Sequence, residues 1–218
     1  MSKKIKKILA LAISVLPSSG LRVACYRSLL GYRFGPGARL GWGVAIMVDS
    51  FECGANVVIR RGTSFSGPIR VQLGDKTFIG RYNKIECGDN AGDASNAHMN
   101  YAREFITGRD SLINEGHLFD VLGQIRIGNG SWVAGFASQF LTHGAGTMNR
   151  DIAIGDECFI GSAVRFAPGS GVGNRVVVGM SAVVTKRIAQ DDVVIGGLPA
   201  KVIKNRAEED GYVFQKGW

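Results

Sequence analysis

Three histidines, His98, His117 and His143, are the side chains of this chain best suited to exchange a proton near neutral pH. A general base needs a rigid seat and open space for the group it deprotonates. His143 has both: it follows Gln139-Phe140-Leu141-Thr142, which reads as a strand, and precedes the small residues Gly144-Ala145-Gly146. His117, in Gly116-His117-Leu118-Phe119-Asp120, is the second candidate, for binding or orienting an acceptor. His98 lies in a polar stretch and reads as a solvated side chain. A carboxylate that fixes the tautomer of His143 would strengthen it as a base. Asp120, Glu115 and Asp151 qualify, and spacing does not rank them. Cys25, Cys53, Cys87 and Cys158 show no metal-ligand spacing, and no two histidines are close in sequence, so no metal is expected. Cys158 reads as a core filler.

The elements that position these residues announce themselves through a six-residue beat. Ile154, Ile160, Phe166, Val172, Val178 and Val184 are apolar, and a small residue follows each: Gly155, Gly161, Ala167, Gly173, Gly179 and Thr185. Four residues after each apolar one stands a small or β-branched one, from Cys158 through Val164, Ser170, Val176 and Ala182 to Ile188. Helices repeat at 3.6 residues and strands at two, so neither explains a period of six. Three short strands per turn of a parallel β-helix do, each sending one large side chain inward, with the small neighbour expected to let the chain bend. Shorter runs precede it: Phe34, Leu40, Ile46; Leu73, Ile79, Ile85; Ile106, Leu112, Leu118; and Ile127, Val133, Gln139, the last with Ser131 and Ala137 in register. Between runs the phase slips, most at residues 88–103 and 142–153, where loops are expected to leave the solenoid and carry function. With 18 residues per turn, Ala163, Ser181 and Pro199 should stack in one column, and Gly161, Gly179 and Gly197 in a neighbouring one. The stacked small residues would form a shallow groove about 10–15 Å long at 4.8 Å per turn.

The chain divides into an N-terminal helical segment (1–33), a solenoid (34–206) and a tail (207–218). Eight of its 26 basic residues precede the first acidic one, Asp49, and the remaining 18 match the 18 acidic residues. The net charge of +8 thus belongs to one end, and no basic stripe with interleaved aromatics marks a nucleic-acid binder. Ile5, Ile8, Leu9, Ala12, Ile13 and Leu16 have helical spacing, Pro17 interrupts it, Ser18 or Ser19 can cap a second helix, and Gly31 can end it. This segment reads as a cap for the open first turn, as a basic amphipathic helix on an anionic membrane, or as a signal peptide. Val15-Leu16-Pro17-Ser18-Ser19 makes a poor cleavage site. Cysteine usage and the lack of a spanning segment suggest a cytoplasmic protein, peripheral at the inner face of the membrane on the second reading.

The repeat resembles the hexapeptide-repeat acyltransferases, over about residues 34–206. Val178-Gly179-Met180-Ser181-Ala182-Val183-Val184-Thr185-Lys186 and Gly196-Gly197-Leu198-Pro199-Ala200-Lys201-Val202-Ile203 look like the closing signature of that family. Residues 116–120 and 139–144 resemble motifs of its bacterial sugar O-acetyltransferases of surface-polysaccharide synthesis. The resemblance implies an all-β fold, a left-handed parallel β-helix with a short N-terminal helical segment and loop excursions. It also implies a homotrimer, acetyl-coenzyme A as donor, and an active site between subunits. It places the catalytic base at His143. Asp120 as its candidate partner and His117 as an acceptor-binding residue rest on the reading of the residues themselves, since Ala145 and Gly146 stand where many members carry a further histidine or acidic residue. It assigns Gly161, Ser162, Ala163, Gly179, Ser181 and Pro199 to the donor groove, and Lys186 and Lys201 to the coenzyme phosphates. The backbone at Gly161 or Ser162 could serve an oxyanion if the chain returns above His143. The expected acceptor is a sugar, nucleotide sugar or lipid-linked glycan. Other readings are an N-acetyltransferase acting on an amino sugar or nucleotide sugar, a non-catalytic scaffold, and the zinc carbonic anhydrase that shares this solenoid.

Overall fold

The structure is a computed structural model that describes residues 3–144 and 149–206. The six-residue beat becomes a three-faced prism. Ile154, Ile160 and Phe166 stand on successive faces, and each pairs in parallel with the residue 18 positions on: Val172, Val178 and Val184. All six are at most 2% exposed and line the axis. Face 1 begins with Arg33–Phe34 and includes Glu104–Thr107, Gln124–Ile127 and Ile152–Ile154. Face 2 runs from Arg39–Leu40 to Val193–Gly196. Face 3 includes Lys84–Glu86, Leu118–Asp120, Gln139–Leu141, Arg165–Phe166 and Val183–Val184. Two long strands, Ala45–Cys53 and Ser64–Leu73, run round the edge between faces 3 and 1 and join those faces into one 13-stranded sheet. Inside face 3, Phe119 stacks on Phe140 and Phe140 on Phe166, with ring centroids 4.6 and 4.9 Å apart.

The small residue after each apolar one has a different purpose from the one expected. The left-handed corner conformation falls two residues later, at Glu157, Ala163, Gly169, Arg175 and Ser181, whose φ lies between 54° and 74°. Gly155 is small because turns approach closely there: a Cβ would sit 2.3 Å from the carbonyl oxygen of Gly173.

Three register expectations also change. The third run points inward at Thr107, Ile113 and Phe119, one residue after Ile106, Leu112 and Leu118. Thr107 hid this phase, since a polar residue breaks the hydrophobic beat; its buried hydroxyl is 3.1 Å from that of Thr77. In the fourth run Phe140 replaces Gln139 and Ser138 replaces Ala137, because the corner at residues 134–138 holds an extra residue, with left-handed φ at both Gly135 and Ala137. The last turns shorten, so Val172 pairs with Ile188 and Val178 with Ile195. Lys201–Asn205 then folds back antiparallel on Val193–Gly196.

The N-terminal segment forms α1 (Lys3–Ser14) and α2 (Ser19–Leu30), the latter capped by Ser18 and ended by Gly31 at φ 70°. Their polar side chains satisfy the open edge of the first turn, which has no strand beyond it. Ser19 accepts from the Leu40 amide at 2.9 Å, and Arg22 donates to the Leu40 carbonyl at 2.7 Å. The Tyr26 hydroxyl donates to Val44 O at 2.9 Å and accepts from Ile46 N; Tyr32 does the same at Val48. Unmet backbone groups at a buried edge are costly, so the capping role is built into the geometry. Among the described residues no helix is long and apolar enough to cross a membrane.

Candidate active site

Chain excursions collect on the edge between faces 3 and 1. Residues 88–103 leave it after Lys84–Glu86 and form two 3-10 turns, Asp89–Gly92 and Ala94–Met99. A second excursion leaves after Gln139–Leu141; Ala145–Met148 within it lie outside the described residues. Between them Leu118–Asp120 crosses straight to face 1. Asp120 therefore stands beside Glu86 on one side and Leu141 on the other, in register.

His143 sits where that second excursion starts. Its backbone amide donates to Asp120 Oδ2 at 3.1 Å, and its side chain is exposed. Thr142, fully buried, anchors the same spot by donating its hydroxyl to Asp120 O and accepting from Gly123 N at 2.8 Å. Asp120 thus fixes the chain that carries His143 rather than its imidazole. Burial pushes the Asp120 carboxyl above the ordinary range, and the charge of His143 pulls in the opposite direction. Beside it lies a cleft of about 350 Å³ lined by Lys7, Ser66, Gly67, Glu86, Cys87, Gly88, Asp89 and Asp120. The other two carboxylates serve elsewhere. Glu115 pairs with Arg81 at 2.6 Å, and Asp151 accepts from Gln124 N at 2.8 Å.

His117 lies on the edge between faces 2 and 3 and is 1% exposed. Its Nδ1 accepts from the Ser138 amide at 3.1 Å, and its own amide donates to Asn83 Oδ1 at 2.9 Å. Burial pulls its pKa down to about 4, opposed by the Gly135 carbonyl and Glu115. The ring is a neutral strut inside the corner, enclosed too fully to meet an acceptor. His98 is exposed, with Nδ1 3.0 Å from Ser95 O within its own turn. Among the described residues no group of three His, Cys, Asp or Glu side chains is placed to hold a metal. Cys158 is fully buried, and burial raises its thiol to about 11.

The small-residue column runs along the edge of His117, not that of His143. Ala163 N donates to Phe136 O and Ser181 N to Ser162 O, both at 2.9 Å, so Gly135–Phe136, Ser162–Ala163 and Met180–Ser181 stack. Leu198–Pro199 continues the line, with Val183 N bonded to Gly197 O at 3.0 Å. Phe136, Met180 and Leu198 project from this edge, 64–77% exposed. Gly179 meets Gly196 rather than Gly197 because of the shortened turn. Four levels at 4.8 Å spacing give a groove about 14 Å long. Gly161 cannot lie over His143: it stacks beside residue 134, and its amide is committed to Val178 O at 2.9 Å. The oxyanion expectation at Gly161 therefore fails. Lys186 is exposed on the His143 edge, and Lys201 lies opposite Gly196 at the end of face 2, so one chain does not bring the two together.

Sequence reasoning missed Lys7, Glu86 and Asp89. Glu86 could have been placed by register with Asp120, but the cap helix and the excursion carry no spacing that links Lys7 to Asp89.

No family model matches this chain. It is 29% identical over 159 residues to the putative colanic acid biosynthesis acetyltransferase WcaF of Escherichia coli K12, covering 73% of this chain and 71% of that protein. It is 40% identical over 60 residues to a chloramphenicol acetyltransferase of Agrobacterium fabrum. The chain spans about a third or less of the length of the chloramphenicol acetyltransferases it matches. Its fold is shared by a hexapeptide-repeat acetyltransferase of Vibrio cholerae solved with acetyl-coenzyme A. The TM-score there is 0.50 at 18% identity, over 94% of this chain and 87% of that one. In its repeat and its fold the chain is similar to the hexapeptide-repeat acetyltransferases, and in sequence it is similar to WcaF.

Proposed function

We propose that the protein transfers an acetyl group from acetyl-coenzyme A to a sugar hydroxyl in bacterial surface-polysaccharide synthesis. His143 is the base. It takes the hydroxyl proton as the oxygen attacks the thioester carbonyl, and it returns that proton to the thiolate when the C–S bond breaks. The WcaF likeness supports the substrate class, and the acetyl-coenzyme A in the Vibrio structure supports the donor. The fit of the donor to this chain rests on the groove of small residues beside the projecting Phe136, Met180 and Leu198.

One observation carries the reading: the proposed base and the proposed donor groove stand on different edges of one prism, with face 3 between them. A complete site then needs the groove of one chain and the His143 edge of another. Face 2 supplies a contact surface, since its outward residues include Val58, Phe78, Leu112, Trp132, Phe159 and Val177. Three prisms closed about an axis give three equivalent sites, as a homotrimer.

Mixed oligomers test this. His143→Ala and Ser181→Trp, which blocks the groove, should each abolish thiol release from acetyl-coenzyme A. Co-assembled, they should recover a fraction of wild-type turnover, because some interfaces pair an intact groove with an intact histidine. No recovery in verified mixed oligomers places both functions in one chain and sinks the shared site. A second reading, N-acetyl transfer to an amino sugar or nucleotide sugar, draws support from Glu86 and Asp120 at the cleft, which would attract an ammonium group, Asp89 there being paired with Lys7. Matched hydroxyl and amino sugars separate the two. Absence of both turnover and coenzyme A binding leaves a scaffold.

A further inference from the structure

α1 is amphipathic in the reverse of the usual sense. Its inner face is held by buried Ala10, Ile13 and Ser14 and by three lysines. Lys7 pairs with Asp89 at 2.6 Å and Lys3 with Asp93 at 3.3 Å. Lys6 lies near Asp49 O and over the Tyr32 ring. The outward face carries aliphatic side chains: Ile5, Ile8 and Leu11, with Val15 just past the helix end, are 56, 70, 53 and 52% exposed. At about 100° per residue these four, with Ala12 and Lys4, share one arc of about 120°. The stripe runs about 15 Å along the helix at 1.5 Å per residue.

We propose that this stripe seats the protein on an anionic lipid surface. The two cap helices hold six basic residues and no acidic one, and the chain has no acidic residue before Asp49. Asp89 and Asp93 each pair with a lysine on the flank of α1, and Lys4, at the N-terminal end of the stripe, has no carboxylate paired with it among the described residues. Positive rim and apolar stripe together suit anionic headgroups over acyl chains. A second copy fits less well. It would bring two basic caps together, and the stripe offers on the order of 400 Å², half of the roughly 800 Å² each side of a stable interface supplies. Lys7, on the flank of the same helix, lines the cleft beside Asp120. A seated helix therefore holds that cleft close to the headgroups. The lipid contact stands independently of the acetyl-transfer reading.

Flotation of the full chain with phosphatidylcholine vesicles, with and without one-third phosphatidylglycerol, tests it. Wild type should float with the anionic vesicles and much less with the neutral ones. Ile8→Glu combined with Val15→Glu should reduce bound protein at least tenfold with an unchanged melting temperature and unchanged oligomer size; both positions are exposed, so folding does not depend on them. Wild type that stays lipid-free with both vesicle types overturns the proposal. So does a double variant that binds like wild type, or one that alters oligomer size, which would make the stripe a subunit contact.

Discussion

Two corners of the same prism each hold a histidine, and they use it in opposite ways. At residues 114–117 the chain turns tightly from face 2 to face 3, and His117 is enclosed, accepting from the Ser138 amide. At residues 142–144 the chain leaves the prism, and His143 stays in solvent with only its backbone tied to Asp120. A regular corner spends its polar groups on its neighbours in the stack. An interrupted one leaves a side chain free on a rigid base, which is the arrangement chemistry needs.

The largest effect should come from the open corner. His143→Ala is expected to lower turnover about 10²–10⁴-fold, the usual worth of a general base, with coenzyme A binding and melting temperature unchanged. Turnover within threefold of wild type, measured as thiol release, would remove His143 from the reaction. The closed corner should show in stability instead. His117→Asn leaves the Ser138 amide without its present acceptor and is expected to destabilise by about 1–3 kcal/mol. The wild-type pH dependence follows from the depressed pKa of about 4. Unfolded His117 takes up a proton near its ordinary value of about 6.5 while the folded ring does not. Stability is then full above about 6.5 and is lost as the pH falls toward 4, by up to about 3 kcal/mol. Denaturant unfolding at several pH values checks this. An Asn variant that keeps the whole wild-type slope between those values would show that His117 is not its source.

The same contrast explains what could be read from sequence. The beat from Ile154 to Val184 was legible because each inward residue is apolar and the spacing is uniform. Where Thr107 points inward, or where Gly135 and Ala137 accommodate an extra residue, the beat broke and the phase was misread by one. His143 could be singled out by its place at the end of a run. The enclosure of His117 could not, since it depends on Ser138 and Asn83 from neighbouring turns. The column of small residues followed from the 18-residue turn, but its separation from His143 did not. The first excursion had shifted the phase, and the edge on which each segment emerges is fixed only when the turns are stacked. In α1 the helical pattern was legible, whereas its orientation depended on Asp89 and Asp93, more than 80 residues away.

The smallest effect should belong to Asp120, which touches both demands at once. Asn at this position keeps an oxygen to accept from the His143 amide and removes the negative charge. If Asp120 were retained for structure, Asp120→Asn would melt earlier. The folded carboxyl is raised above its ordinary range, chiefly by burial. With the folded pKa above the unfolded one, ionisation at neutral pH works against the folded state, and stability falls as the pH rises through that range. Asp120→Asn should therefore be at least as stable as wild type at pH 7. Its turnover should still drop about tenfold, because an imidazolium formed at His143 loses a nearby counter-charge. A variant that is both less stable and fully active would assign Asp120 to the corner alone, and the open corner would then differ from the closed one only in exposure.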